Sequence, residues 1–143
     1  MNSILVVCEG NICRSPMAEG LLRAALPAAR VSSAGLGALI GQPADEMAVQ
    51  LLKERGLDIS DHRAAQLTRQ MCLNADLVLV MDQIQRMRVE EMYPQVHGRV
   101  FKIGEFTSQD VPDPYRQPDK AFRDALFHIE EGIKEWLRRI ERL

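Results

Sequence analysis

The sequence predicts an α/β fold, a small doubly wound sheet of four parallel strands with helices on both faces in a flavodoxin-like topology. Three observations support this prediction. Short aliphatic runs alternate along the chain with segments whose apolar residues recur at helical spacing. A helix between successive strands favours parallel pairing through right-handed crossovers. No repeat, linker or low-complexity stretch interrupts the alternation, so we expect residues 1–143 to form a single domain.

The first unit of the chain is a strand, a short loop and a helix. Residues 4–7 are Ile-Leu-Val-Val, a composition typical of a buried strand. Residues 8–14 form the loop. Ser15 and Pro16 then indicate a helix start, because serine is a favoured N-cap and proline at the first helical position gives up no hydrogen bond. Apolar residues continue at helical spacing from there, and Pro27 closes the helix.

Three more strands and three more helices are expected after this unit. The strands are predicted at residues 30–34, 76–81 and 99–103. One helix is predicted to end at Gly56 and another near Pro94, since glycine and proline commonly end helices. A loop with three prolines then leads into a long last helix.

The last predicted helix carries an apolar stripe with spacings of four and three. Its members are Phe122, Leu126, Ile129, Ile133, Trp136, Ile140 and Leu143. Such a stripe forms either a coiled-coil seam between two chains or the face of a helix packed on its own sheet. Three heptads are the lower limit for a coiled coil, so packing on the sheet is favoured and we expect a monomer.

Composition and charge exclude several classes of protein. The chain has 18 Lys and Arg against 20 Asp and Glu, a net charge of −2, which argues against nucleic-acid binding. No apolar run approaches the roughly 20 residues that a membrane-spanning helix needs. The first residues lack the pattern of a signal peptide. We therefore expect no membrane insertion and a cytoplasmic location.

The cysteines and histidines do not form a disulfide framework or a metal-ligand pattern. There are three cysteines, and the first two are spaced C-x4-C. The three histidines are scattered and form no H-x3-H or H-E-x2-H pattern. We therefore expect no metal and no cofactor. The cysteines, if functional, act as thiols.

The loop after the first strand has the chemistry of an anion site. A sharp turn between a strand and a helix can aim successive backbone N–H groups inward, and the helix N-terminus adds to the same positive potential. Arg14 supplies a forked guanidinium suited to two phosphate oxygens. Cys8 begins the loop, so its thiolate is placed for in-line attack on a bound phosphorus. The predicted phosphate-binding residues are Glu9, Gly10, Asn11, Ile12, Cys13, Arg14 and Ser15.

These residues resemble a known family. The string Val-Cys-Glu-Gly-Asn-Ile-Cys-Arg-Ser-Pro at residues 7–16 resembles the signature of low molecular weight protein tyrosine phosphatases. Residues 33–35, 62–64, 75–81 and 113–115 also match, so the resemblance covers essentially the whole chain. The bacterial branch, linked to polysaccharide-exporting tyrosine kinases, is the most similar. The resemblance implies hydrolysis of phosphotyrosine in proteins, with such a kinase as a possible substrate.

The resemblance implies three catalytic residues. Cys8 is the nucleophile that forms a phosphocysteine intermediate. Arg14 clamps the phosphate oxygens. Asp113 is the general acid toward the leaving phenolate and then the base that activates water. Without the family resemblance, an aspartate before a proline indicates only a turn.

The resemblance also implies supporting roles around the loop. Asn11 holds the strained shape of the loop, with Ser33 and His62 as hydrogen-bonding supports. Ser15 donates a hydrogen bond to the thiolate. Cys13 is similar to the family's second cysteine, which can form a reversible disulfide with the nucleophile.

The residues by themselves leave the identity of the attacking thiol open. Cys13 lies beside Arg14 and shares its positive field, although the C-x5-R spacing favours Cys8. Cys72 precedes a buried strand and is predicted to be an inert core thiol.

Substrate access depends on residues that depart from the family pattern. The segment 36–41 is aliphatic rather than aromatic, so Leu39 or Ile40 is predicted to form an apolar lip. Tyr115 is predicted as a pocket wall that stacks against an aromatic substrate. Arg116 stands where animal members often carry a second aromatic residue. Glu9 would repel a phosphate dianion if it pointed inward, so we expect its side chain to face outward.

Three rival functions use the same loop. An arsenate reductase needs further resolving thiols after the third strand, and no cysteine pair stands there. A phosphocysteine carrier would keep its phosphate and would not need Asp113. A silent phosphate-binding module would be expected to lack Cys8, Arg14 or Asp113, and all three are present.

Overall fold

A computed structural model describes residues 2–140 of the chain, as one sheet with helices on both sides. The strands are β1 (Ser3–Cys8), β2 (Arg30–Gly35), β3 (Leu77–Val80) and β4 (Val100–Lys102). The helices are α1 (Arg14–Ala25), α2 (Glu46–Glu54), α3 (Arg69–Asn74), α4 (Gln83–Met92) and α5 (Asp119–Ile140), with a 3₁₀ helix at Pro94–Arg99.

The four strands are parallel and lie in the order β2-β1-β3-β4. Val6 of β1 is in register with Ser33 of β2 on one side and with Leu79 of β3 on the other. The chain therefore leaves β1 toward one edge and later returns to its opposite side. This order is flavodoxin-like and makes the carboxyl end of β1 the switch point, where such sheets bind ligands.

Side chains of β1 alternate between two hydrophobic clusters. Ile4, Val6 and Cys8 pack with α1, α2 and α5 on one face of the sheet. Leu5 and Val7 pack on the other face with residues of α3 and α4. Both faces of β1 are buried, which explains its continuous rather than alternating apolar sequence. Helices on both faces, as the sequence predicts, are confirmed.

Helix α5 packs its apolar stripe against the same sheet. Five of the predicted stripe residues, Phe122, Leu126, Ile129, Ile133 and Trp136, are buried. Gly132 lies so close to β4 that a Cβ there would come within 2.5 Å of the Ile103 carbonyl oxygen. The stripe is thus a core face within its own chain. Leu143, its last predicted member, lies outside the described residues.

Two local predictions differ from the structure. Helix α1 begins at Arg14 with Cys13 as its N-cap, so the prediction of Ser15 as N-cap is wrong. The hydroxyl of Ser15 is instead 2.9 Å from the Cys8 sulfur, a tertiary contact that takes the place of capping. Helix α3 was not predicted because its six residues are too few to show a helical period.

Within residues 2–140, no helix combines the length and the apolar composition that crossing a membrane requires.

Candidate active site

The loop after β1 surrounds a cavity at the switch point of the sheet. The cavity has a volume of about 210 Å³. It is lined by Cys8, Glu9, Gly10, Ile12, Cys13, Arg14, Gly37, Leu39, Asp113 and Tyr115. The lining therefore combines the predicted loop with segments that lie far from it in sequence. The cavity lies at the N-terminus of α1.

Cys8 is buried at the end of β1, and its sulfur contacts one hydroxyl group. The Cys8 Sγ lies 2.9 Å from Ser15 Oγ. Ser15 Oγ also accepts a hydrogen bond of 2.7 Å from the Asn11 side-chain amide. Because a thiolate can only accept, the Ser15 hydroxyl is the donor of this hydrogen bond whenever the sulfur is an anion. This arrangement stabilises a negative charge on Cys8.

Asn11 holds the loop in a left-handed turn. Its φ is 59°, a conformation that asparagine tolerates better than most residues. Its side-chain amide donates to Ser15 and to Ser33 Oγ at 2.9 Å, and its Oδ1 accepts from the Ala65 backbone N–H at 2.9 Å. The Asn11 carbonyl lies 2.7 Å from His62 Nε2. Asn11 thus connects the loop to three other segments.

Glu19 completes this network and was missed by the sequence analysis. Ser33 donates to Glu19 Oε1 at 2.6 Å, and His62 Nδ1 lies 3.8 Å from the same oxygen. Glu19 is 9% exposed on α1, four residues after Ser15 and therefore on the same helical face. A charged residue among the apolar positions of the buried face of α1 is the signal that could have found it.

Arg14 is buried beside the cavity, with 4% of its side chain exposed. Its Nη1 donates to the Val111 carbonyl at 2.9 Å. The carboxylates of Asp82 and Asp113 each lie 3.6 Å from a guanidinium nitrogen, beyond ordinary hydrogen-bond distance. Arg14 Nε is buried without a hydrogen-bond partner in the described part of the chain. The guanidinium therefore retains donors for the oxygens of an anion.

Asp82 was also missed, although its position in the fold is informative. It lies two residues after the end of β3, the neighbour of β1, and the carboxyl ends of both strands lie at the same edge of the sheet. Its Oδ1 accepts from the Gln85 backbone N–H at 2.8 Å and caps α4. The same residue thus begins a helix and faces Arg14.

The proline-containing loop brings Asp113 to the cavity. Val111 is buried, its N–H donates to the Met81 carbonyl at 2.9 Å, and its carbonyl accepts from Arg14. Asp113, two residues on, accepts from the Tyr115 N–H at 3.1 Å, which fixes its carboxylate. Nearly half of the Asp113 side chain is exposed, so it can exchange protons with water and a ligand.

The walls of the cavity are largely apolar. Leu39 and Tyr115 line it, whereas Ile40 is 70% exposed and lies outside the lining. The Arg116 guanidinium lies 5.1 Å from the centre of the Tyr115 ring, a cation–π distance that helps to orient the ring. Glu9 directs its carboxylate toward α4, where Arg88 Nη1 lies 3.1 Å away.

The three cysteines are free thiols in different environments. Burial, with a smaller contribution from the negative charge of Asp45, raises the pKa of Cys13 far above its ordinary value. Burial raises the pKa of Cys72 to about 11. Both thiols therefore stay protonated and unreactive at neutral pH, and ionise only as the pH rises toward their raised pKa values.

We expect iodoacetamide at near-neutral pH to modify Cys8 and to spare Cys13 and Cys72. Cys13 shares the cavity with Cys8, so protection of Cys13 reports its raised pKa rather than a lack of access. Mass spectrometry of the digested protein locates the adduct, and activity is followed in parallel. In the unfolded control all three thiols should react. A Cys13 adduct that forms first, with activity retained, would contradict the assignment of Cys8.

Comparison with known proteins identifies the family. Residues 3–143 match the family model for low molecular weight phosphotyrosine protein phosphatase. The chain is 50% identical to the probable low molecular weight protein-tyrosine-phosphatase EpsP of Ralstonia solanacearum over 143 residues, covering 100% of this chain and 99% of that relative. The chain belongs to the low molecular weight phosphotyrosine protein phosphatase family.

Solved structures agree with this membership. The tyrosine phosphatase Wzb from Escherichia coli K30, in complex with sulphate, is similar with a TM-score of 0.93 and 37% identity, covering 97% of this chain and 98% of that chain. The YwlE arginine phosphatase from Geobacillus stearothermophilus is similar with a TM-score of 0.92 and 34% identity, covering 99% and 94%. The family, the fold class and the enzyme class predicted from the sequence are confirmed.

Proposed function

We propose that this phosphatase hydrolyses phosphotyrosine monoesters in proteins through a phosphocysteine intermediate on Cys8. The observation that carries the proposal is the shared cavity: Cys8, Arg14 and Asp113 all line it, at the N-terminus of α1. A nucleophile, an oxyanion clamp and a proton donor are the groups that phosphoryl transfer to sulfur requires.

In the first step the phosphate dianion occupies the loop, where backbone N–H groups and Arg14 hold its oxygens. The Cys8 sulfur forms a bond to phosphorus as the bond from phosphorus to the tyrosine oxygen breaks. Asp113 gives its proton to that oxygen, so tyrosine leaves as a neutral phenol. The hydroxyl of Ser15 stabilises the sulfur anion before attack.

In the second step a water molecule replaces the tyrosine. Its oxygen attacks phosphorus, the Asp113 carboxylate takes one of its protons, and the sulfur–phosphorus bond breaks. Inorganic phosphate leaves, and Cys8 returns as a thiolate that accepts again from Ser15. Asn11 maintains the loop during both steps, supported by Ser33 and His62.

The walls of the cavity support tyrosine as the phosphorylated residue. Ile12, Leu39 and Tyr115 offer apolar surface to a phenyl ring. The phosphoarginine that the name of YwlE suggests would place a charged guanidinium against the same apolar surface, and covering a charge with apolar groups costs free energy. Phosphoserine would leave the surface uncovered.

We expect phosphotyrosine peptide to be hydrolysed at least about tenfold faster, as kcat/KM, than phosphoserine or phosphoarginine peptides of the same sequence. The three peptides are compared in EDTA, with release of inorganic phosphate as the measurement. Equal rates on all three would contradict the proposal for tyrosine. A phosphocysteine carrier would keep the phosphate of one turnover on its cysteine and would release no inorganic phosphate. An arsenate reductase or a silent binding module would release none either.

The proposed partner is supported by similarity to relatives, and the proposed location by the state of the cysteines. We propose a tyrosine-phosphorylated protein as the substrate, and a bacterial tyrosine kinase of polysaccharide export as the first one to test, supported by the similarity to EpsP and Wzb. A free nucleophilic thiol supports a reducing compartment, the cytoplasm. Residues 1–143 are proposed to act as a single, monomeric phosphatase domain.

A further inference from the structure

The exposed charge at the mouth of the cavity is negative. Three charged residues in the described part of the chain line the cavity: Glu9, Arg14 and Asp113. Arg14 is buried, and the phosphate group occupies its free donors. The side chains of Glu9 and Asp113 are 47% and 48% exposed. A peptide that delivers its phosphotyrosine to the loop therefore passes the side chains of Glu9 and Asp113, of which Asp113 holds its proton until the first step.

Of these two acidic residues, Asp113 takes part in the proposed reaction and Glu9 does not. It directly follows Cys8, and its carboxylate is held from one side by α4, where Arg88 Nη1 lies 3.1 and 3.2 Å from its two oxygens. Arg88 is itself 43% exposed and does not line the cavity. Among residues 2–140, Arg88 Nη1 is the nitrogen that donates to this carboxylate, which leaves lone pairs on both oxygens for a further donor.

We propose that Glu9 selects substrates by the charge of the residue next to the phosphotyrosine, favouring a lysine or arginine there and disfavouring an aspartate or glutamate. Arg88 limits this preference, because it neutralises part of the Glu9 charge. The inference rests on the proposed function, since it concerns the peptide that carries the phosphotyrosine.

The physical basis is the interaction of exposed charges at short range. An exposed ion pair stabilises by a small amount, so the Glu9–Arg88 pair does not prevent a peptide cation from approaching the same carboxylate. An acidic neighbour meets repulsion from Glu9, whereas Asp113 holds its proton until the first step and adds no charge. Arg116, whose guanidinium lies over the ring of the lining residue Tyr115, is a further cation close to the cavity.

The test uses three phosphotyrosine peptides that differ at one position, with lysine, glutamine or glutamate next to the phosphotyrosine. We expect kcat/KM to fall in that order, with the lysine and glutamate peptides differing about two- to fivefold at low salt. At about 1 M salt, where the Debye length is about 3 Å, the ratio of kcat/KM between the lysine and glutamate peptides should approach one.

Variants test whether the preference between the peptides depends on the charge of Glu9. Glu9→Gln should reduce the lysine-to-glutamate ratio, and Arg88→Gln should increase it because the Glu9 charge is no longer neutralised. The matched control is Glu54→Gln. Glu54 is also an exposed carboxylate paired with an arginine, Arg123 at 3.2 Å, and it lies outside the cavity lining. Its substitution should leave the ratio unchanged.

The outcomes distinguish this inference from the function on which it rests. Equal kcat/KM values for the three peptides, or a ratio that Glu9→Gln leaves intact, would overturn the selection by Glu9 while phosphotyrosine hydrolysis stands. A faster glutamate peptide would also overturn it. If none of the peptides releases phosphate, the proposed function itself is contradicted.

Discussion

Cys8→Ser is expected to lower kcat by on the order of 10⁵-fold or more, the scale seen when a covalent nucleophile is removed. A serine hydroxyl at this position is a far weaker nucleophile than a thiolate, and the Ser15 hydroxyl that contacts position 8 is not a base that could remove its proton. Ser15 donates toward position 8 and is itself held by Asn11, so it favours an anion there but does not accept a proton from it.

The same variant should still bind phosphate. Arg14 and the backbone N–H groups at the start of α1 are unchanged by the substitution. Two measurements are needed: turnover of para-nitrophenyl phosphate, and binding of inorganic phosphate or vanadate by calorimetry. Trapping with labelled substrate in acid should capture a phosphoenzyme in the unmodified protein and none in the variant.

Cys72→Ala is the control for this experiment. Cys72 is fully buried in α3, on the opposite face of the sheet from the cluster that contains Cys8, and it has no part in the proposed reaction. Its substitution should leave kcat unchanged even where it lowers the free energy of unfolding. A Cys8→Ser variant with substantial turnover would remove Cys8 from the role of nucleophile.

Asp113→Ala is expected to slow turnover by about 10²–10⁴-fold, the usual contribution of a positioned general acid. The loss should depend on the leaving group, because a phenolate that is already stable needs no proton when it departs. Asp113 is well placed for this role, since its carboxylate lies 3.6 Å from Arg14 and is fixed by the Tyr115 N–H.

A series of aryl phosphates with leaving groups of increasing basicity tests this role. The rate of the unmodified enzyme should vary little along the series, whereas the rate of Asp113→Ala should fall steeply. Asp113→Asn preserves the size of the side chain and should behave in the same way. Asp110→Asn is the matched control, because Asp110 is an exposed aspartate of the same loop that pairs with Lys102 at 3.0 Å. Equal slowing for every leaving group would exclude Asp113 as the general acid.

The fold could be predicted from the sequence because its elements are encoded locally. The aliphatic run at residues 4–7 and the apolar spacing after Pro16 are properties of neighbouring residues, and they locate β1 and α1 to within a few positions. The start of α1 was misplaced by a tertiary contact, because the Ser15 hydroxyl contacts Cys8 rather than capping the helix. Helix α3 was too short to carry a period.

The contacts between the loop and residues distant in sequence could not be predicted from local patterns. Arg14 and Val111 form a hydrogen bond across 97 positions in sequence, and Glu9 and Arg88 across 79. Local patterns contain nothing about such pairs, because they exist only once parallel strands bring their carboxyl ends to one edge of the sheet. For Asp113, the resemblance to the family supplied the predicted catalytic role, whereas the residues by themselves indicated only a turn.

Local sequence was therefore enough to place a cysteine and an arginine at the ends of one loop between a strand and a helix, since seven consecutive residues carry both. The tertiary structure alone placed Asp82 beside Arg14 and Glu19 behind the loop, and turned Glu9 toward α4. The physical reason is that each of these carboxylates acquires its role from a charge or a donor on another element. The chain order of those elements does not reveal their distance in space.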